Sequence, residues 1–207
     1  REDVARLSNH HEVIVERRAP LIAIGECQVL PPPGAFLQAT AQGEAVLAEL
    51  VGEALGMARR PPRRIADLFC GIGPFALRLS RASQVQAFDT DAGAIAALTK
   101  AARRTQGRKP LEAHVRDLFR RPLLAAELAE CDAVILDPPR YGAQAQTQEL
   151  SRSKVARIVY VSCNAATWAR DARTLIEGGY RIDTITPVDQ FRFSPHVELV
   201  AAFHRGK

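Results

Sequence analysis

The chain has 207 residues, enough for one good-sized α/β core with a small extension but tight for two full domains. Its 47% apolar and 25% charged residues are ordinary for a globular protein, and no apolar run approaches the ~20 residues of a membrane-spanning helix. A net charge of +5 and a pI near 9.3 point toward a polyanionic partner. The basic clusters Arg59-Arg60-Pro61-Pro62-Arg63-Arg64, Arg103-Arg104, Arg108-Lys109 and Arg120-Arg121 serve equally as phosphate contacts or as solvated loop ends. Cys27, Cys70, Cys131 and Cys163 stand far apart, without the close pairs of a zinc site. Reduced thiols in a cytoplasmic, metal-free protein are the expectation.

The chain opens in short β-like runs. Val4 to Leu7 and Glu12 to Arg17 flank the polar Ser8-Asn9-His10-His11 and read as two strands joined by a turn, and Leu21 to Val29 reads as a third strand. Pro31-Pro32-Pro33-Gly34 stiffens the connection to Phe36-Leu37-Gln38. This opening is not a complete domain, so residues 1–39 are expected to be a partial β-rich extension, the remnant of a longer chain. Thr40 caps a helix expected over Ala41 to Met57, with Val46, Leu47, Leu50, Val51, Ala54 and Leu55 on one face.

From Ile65 the pattern alternates. Strands are predicted at Ile65 to Phe69, Val85 to Asp89, Leu111 to Val115, Ala133 to Leu136, Val155 to Val161, Arg181 to Thr186 and Val197 to Phe203. Helices are predicted after Pro74, over Ala92 to Arg104, near Leu123 to Leu128, near Gln144 to Leu150, and over Ala165 to Glu177, where Gly178-Gly179 stops the last one. The buried face of that last helix is expected to carry Trp168, Ala172, Leu175 and Ile176. Repeated β-then-α with short links gives a doubly wound, mostly parallel sheet.

The link after the first of these strands, Asp67-Leu68-Phe69-Cys70-Gly71-Ile72-Gly73-Pro74, is a tight glycine turn running into a helix. Such a turn holds a nucleotide-like ligand at the strand's carboxyl end. Gly71, Gly73 and Ala76 also satisfy the G-x-G-x-x-G/A dinucleotide pattern, with Asp89 placed for a ribose hydroxyl. A carboxylate at Asp67 opposes a pyrophosphate and favours a cationic ligand such as a sulfonium.

Further polar residues follow the carboxyl ends of later strands: Asp89, Asp117, Asp137 and Cys163. In a doubly wound sheet these ends share one rim. Taken singly, Asp117 equally holds a turn and Asn164 is a natural N-cap. Asp137-Pro138-Pro139-Arg140 makes a rigid extended rim segment, and Val161-Ser162-Cys163-Asn164 sets a thiol at a helix N-terminus, where a thiolate is stabilised.

Phe36-Leu37-Gln38, the Asp67 to Gly73 turn, Asp137-Pro138-Pro139-Arg140, Val161-Ser162-Cys163-Asn164 and His196-Val197-Glu198, in this order and spacing, resemble the S-adenosylmethionine-dependent RNA uridine-5 methyltransferases, which make 5-methyluridine in ribosomal or transfer RNA. The resemblance runs from about Gly34 to the end. It implies an α/β class I methyltransferase fold, a Rossmann-like, doubly wound, seven-stranded sheet whose last strand is antiparallel. Residues 40–207 would then be the S-adenosylmethionine-binding catalytic domain. The resemblance places Gln38, Asp67, Phe69, Gly71, Gly73, Asp89, Asp117 and Asp137 around the cofactor, Arg140, Asn164 and His196 toward the RNA, and Cys163, Glu198 and Asp137 in catalysis. Ala165 and Arg192 stand where the family commonly has proline. The family's amino-terminal RNA-binding domain and the iron–sulfur cysteines of some members have no counterpart, so a catalytic-domain fragment is expected.

In the implied chemistry the Cys163 thiolate adds to carbon 6 of uracil, carbon 5 takes the methyl group, and Glu198 removes the carbon 5 proton. The uridine must be turned out of its stack to reach the thiol. The expected partner is RNA, with no membrane and no metal, and the expected state is monomeric. Amino-group methylation is an alternative, because Asp137-Pro138-Pro139 followed by Tyr141 is similar to the acidic-Pro-Pro-aromatic motif of exocyclic-nitrogen enzymes. NAD-dependent oxidoreduction on the glycine pattern and a non-catalytic RNA-binding module are the others.

Overall fold

The computed structural model describes residues 4–9, 12–190 and 196–206. Two small hairpins stand apart from the main sheet: β1 (Arg6–Asn9) pairs antiparallel with β2 (Glu12–Glu16), and β3 (Ile22–Ile24) with β4 (Cys27–Val29). His10 and His11 of the predicted first turn lie outside the described residues. Where one strand is predicted over Leu21 to Val29, the chain folds back at Gly25, whose φ of 56° suits glycine in a tight hairpin turn.

Helix α1 (Ala41–Leu55) starts where Thr40 accepts a hydrogen bond from the Gly43 amide at 2.9 Å, and it ends at Gly56 in the left-handed region, short of Met57. Seven strands then build one sheet: β5 (Arg64–Leu68), β6 (Gln84–Asp89), β7 (Leu111–Val115), β8 (Ala133–Leu136), β9 (Arg157–Ser162), β10 (Tyr180–Val188) and β11 (Glu198–Arg205). Their order is β10-β11-β9-β8-β5-β6-β7, and the final strand runs antiparallel to both of its neighbours, as expected for the class I methyltransferase sheet.

Helices cover both faces of the sheet. Ile65, Ile135, Val159 and Val161 pack against α1 and α3 (Ala92–Arg104), while the alternate residues Leu68, Leu136, Ile158 and Tyr160 pack against α4 (Gln144–Arg152) and α5 (Ala165–Glu177). A period of two with both faces covered is what a buried parallel strand requires. No helix among the described residues is long and apolar enough to cross a membrane.

Some helical expectations shorten or fail. After the glycine turn α2 (Ala76–Leu79) is a single turn. Leu123 to Leu128 forms no regular helix: turns begin at Ala125, and the Leu123, Leu124 and Ala125 amides donate to the side chains of Gln146, Glu127 and Glu149 at 2.8, 2.9 and 3.1 Å. On α5 Ile176 is 48% exposed, and its inner face carries the buried Asp171 instead.

Candidate active site

The glycine turn shapes one wall of a cleft at the carboxyl ends of the strands. Phe69, at the end of β5, takes φ 64°, a left-handed conformation that costs a non-glycine residue energy and that sequence pattern does not reveal. Gly71 at φ 51° donates its amide to Asp89 Oδ2 at 2.8 Å, and a Cβ there would meet nothing within 4 Å, so the backbone is open toward the cleft. Asp89 Oδ1 takes the Asp91 amide at 2.9 Å, and Asp91 in turn caps α3. These bonds fix Asp89 on the rim.

The cleft has a volume of about 620 Å³, within the range of small-molecule sites. Gln38, Phe69, Gly71 and Asp89 line it, and so do Asp137, Arg140, Cys163, His196 and Glu198. Four residues assigned to the site do not line it. Gly73 is behind the wall, where a Cβ would sit 2.4 Å from Leu98 Cδ1, so its lack of a side chain lets the turn pack on α3. Asp117 accepts the Phe119 and Arg120 amides at 3.0 and 3.2 Å, so it holds the turn that delivers Leu118 and Phe119 to the cleft. Asn164 caps α5 through Oδ1 and donates Nδ2 to the Arg140 carbonyl at 3.3 Å, which commits its polar atoms to the scaffold.

Asp67 is the fourth. It is fully buried beneath the turn, with no hydrogen bond of full geometry to either oxygen. Burial raises its pKa to about 7, the nearby Ala76 amide opposing and Asp89 adding to the shift. It therefore does not reach the cleft, whose carboxyl groups are those of Glu44, Asp89, Asp91, Asp137 and Glu198.

Sheet register brings the Cys163 thiol and two carboxyl groups to the same part of the cleft. Leu199 of β11 pairs with Ser162 of β9 in antiparallel register, so the next position outward sets Glu198 beside Cys163. Asp137 follows β8, the strand next to β9. Burial raises the Cys163 thiol pKa above its ordinary value and the Glu198 charge adds to the rise, while backbone hydrogen bonding and Arg140 oppose it. The thiolate stabilisation expected from the helix N-terminus is thus outweighed by burial and a neighbouring carboxylate. Burial also raises Glu198, with Arg140 pulling down. Burial, then Glu198, Asp67 and Asp89, raises the Asp137 pKa well above its ordinary value, which favours its neutral form. Arg140 Nη2 lies 2.8 Å from His196 Nδ1.

Sequence reasoning placed Phe69 at the site but missed Phe119, whose ring centroid lies 5.4 Å from that of Phe69 with the rings at 52°. The signal was available in Leu118-Phe119, an apolar pair just past a strand end on the functional rim. Phe191 and Arg192, the site of one departure from the family pattern, lie outside the described residues.

Residues 111–205 match the profile of a family described as tRNA (Uracil-5-)-methyltransferase. Over this segment the chain is similar to that family. An uncharacterized RNA methyltransferase of Brucella suis biovar 1 (strain 1330) is 52% identical over 207 residues, which is 100% of this chain and 49% of that protein. The 23S rRNA (uracil(1939)-C(5))-methyltransferase RlmD of Pseudomonas entomophila (strain L48) is 40% identical over 84% of this chain and 38% of its own length. Among solved structures, the Pyrococcus abyssi tRNA (uracil-54, C5)-methyltransferase in complex with S-adenosyl-L-homocysteine superposes with a TM-score of 0.74 at 30% identity, covering 93% of this chain and 46% of that one. The chain thus spans about half the length of the curated uracil-5 and RNA methyltransferase relatives it matches.

Proposed function

We propose that this chain is the S-adenosylmethionine-binding catalytic part of an RNA uracil-5 methyltransferase, with residues 40–207 as the catalytic domain and residues 1–39 as its β-rich extension. The observation that carries the reading is the convergence of Cys163, Glu198 and Asp137 on one cleft with the Gly71–Asp89 turn. The cleft fits the cofactor: the open face of Gly71 admits a close approach, Asp89 is fixed for a ribose hydroxyl, and the carboxyl groups favour a cation. Gln38 and the Phe69–Phe119 pair add a polar and an aromatic contact.

S-adenosylmethionine, when bound, supplies the electrophilic methyl carbon that carbon 5 of the uracil attacks. Carbon 5 becomes nucleophilic when the Cys163 sulfur forms a bond to carbon 6 and the 5,6 electron pair moves into an enolate. Asp137, whose surroundings favour the neutral carboxyl, is placed to donate a hydrogen bond to the enolate oxygen. Glu198 then takes the carbon 5 proton, the C–H pair restores the double bond, and the carbon 6–sulfur bond breaks to return the thiolate. Because the resting thiol is protonated, opposite charge entering a cleft walled by carboxyl groups favours the reactive thiolate.

The test is to incubate the whole protein with labelled cofactor and total unmodified RNA, then locate the methyl group by nucleoside mass spectrometry. The expected product is 5-methyluridine, lost on Cys163→Ala. Retained methylation by that variant, or a methyl group on an exocyclic nitrogen, would refute the assignment. Calorimetry that gives heat with NAD but none with S-adenosylhomocysteine would remove the cofactor reading as well.

A further inference from the structure

The segment that carries Arg140 into the cleft continues into Tyr141, whose side chain is 79% exposed. Its backbone is held from several sides. The Arg140 carbonyl accepts from Thr167 Oγ1 at 3.1 Å and Asn164 Nδ2 at 3.3 Å, and the Tyr141 carbonyl accepts from Arg170 Nη2 at 3.0 Å. One residue further, Gly142 at φ 75° closes a turn by donating to the Pro139 carbonyl at 2.9 Å. The Ala143 amide donates to Asp171 Oδ2 at 2.6 Å, and Asp171 is fully buried on α5. A Cβ on Gly142 would sit 2.6 Å from both Asp171 Oδ2 and Arg170 Nη2, so the turn is packed tightly on that helix.

The backbone that carries this ring is thus clamped onto a helix, while the ring itself stands in water. An unneeded aromatic on a surface turn calls for no such anchoring, whereas a stacking platform does, because its gain comes from presenting a π face without paying to order it. Tyr141 is one peptide, ~3.8 Å between Cα atoms, from the arginine that lines the cleft. A strand that sends one base into the cleft brings its neighbour to this ring.

We propose that Tyr141 is a substrate-binding residue that stacks on the nucleobase next to the target uridine in single-stranded RNA. The inference rests on the RNA methyltransferase reading above and adds a second base contact outside the cleft. Base–aromatic stacking tolerates any base, so the contact contributes affinity and positioning without dictating sequence.

The whole protein, with S-adenosylhomocysteine present, is titrated against fluorescein-labelled oligouridylate by anisotropy. Tyr141→Ala is expected to weaken binding about 5- to 150-fold, while Tyr141→Phe and Tyr141→Trp stay within about threefold of the wild type. S-adenosylhomocysteine affinity by calorimetry and the thermal midpoint are expected to be unchanged, since the ring packs on nothing that a surface substitution would disturb. Wild-type affinity in Tyr141→Ala, or equal weakening in all three variants, would overturn the proposal. The same outcome follows if the wild type methylates total RNA yet binds no oligouridylate. Failure of the wild type to methylate any RNA would instead overturn the reading on which the proposal rests.

Discussion

At the rim of the sheet, Asp67, Asp137 and Glu198 sit where burial disfavours their charge, whereas on the β1–β2 hairpin Val13, Ile14 and Val15 stand 43%, 59% and 44% exposed. Charge is inside and aliphatic surface outside, the reverse of what solvation alone would arrange. The rim accepts an energetic penalty in order to gather acids around a thiol. The hairpin contributes little to the core, because all five β2 residues are exposed and its strands pair only with each other. Groups held against their solvation preference mark the region whose substitution should change chemistry, and the hairpin marks the region whose substitution should change almost nothing.

The largest effect that would sharpen this contrast is at Glu198. Glu198→Gln removes the base while keeping shape, and the methylation rate should fall by about 10²- to 10⁴-fold, with a covalent protein–RNA species accumulating on denaturing gels. Methylation at the wild-type rate would leave the carboxyl without a chemical role.

Asp67 tests the penalty itself. Its folded pKa of about 7 exceeds the ordinary 3.8, so the native state binds that proton more tightly than the unfolded chain does. Its contribution is fully present below about pH 4 and is lost as pH rises to about 7, a difference of up to about 4 kcal/mol. Thermal unfolding of Asp67→Asn between those values should lose that part of the slope and keep the part from Asp137, whose pKa is raised in the same direction. An unchanged slope would show that Asp67 is already ionised in the fold.

Gly73→Ala should cost about 1–3 kcal/mol, read as a lower thermal midpoint, because it forces a Cβ against Leu98 at φ 87°. The smallest effect belongs to the hairpin: Ile14→Thr should shift stability by no more than about 0.5 kcal/mol. A large loss there would mean that the exposed strand is held by contacts the described residues do not show.

Much of this was legible before the structure, for a physical reason. Ala133 to Leu136, buried along its whole length, reads as a short apolar run between turn residues, and the capped, periodic helices Ala92 to Arg104 and Ala165 to Glu177 and the edge strand Leu111 to Val115 also emerge with their bounds intact. The rim was legible because strand ends in a parallel sheet share one edge, which brings Asp89, Asp137 and Cys163 to one cleft. Local pattern could not distinguish a residue that lines the cleft from one that holds the wall, as at Asp117, Asn164 and Gly73. Both roles call for the same residue types in the same post-strand positions. Thiol acidity was misread at Cys163 for a related reason: the helix N-terminus is visible in sequence, but burial and the neighbouring Glu198 depend on a strand 35 positions away in the chain.

The central claim is that the Cys163 sulfur bonds to carbon 6 of a uridine. RNA carrying 5-fluorouridine tests it directly, since fluorine replaces the proton that Glu198 must remove and the covalent species cannot resolve. After incubation with S-adenosylmethionine, nuclease and protease digestion, mass spectrometry should find a methylated fluorouridine nucleotide on the peptide containing Cys163. Unmodified Cys163 peptide, from protein that still makes 5-methyluridine in ordinary RNA, would contradict it.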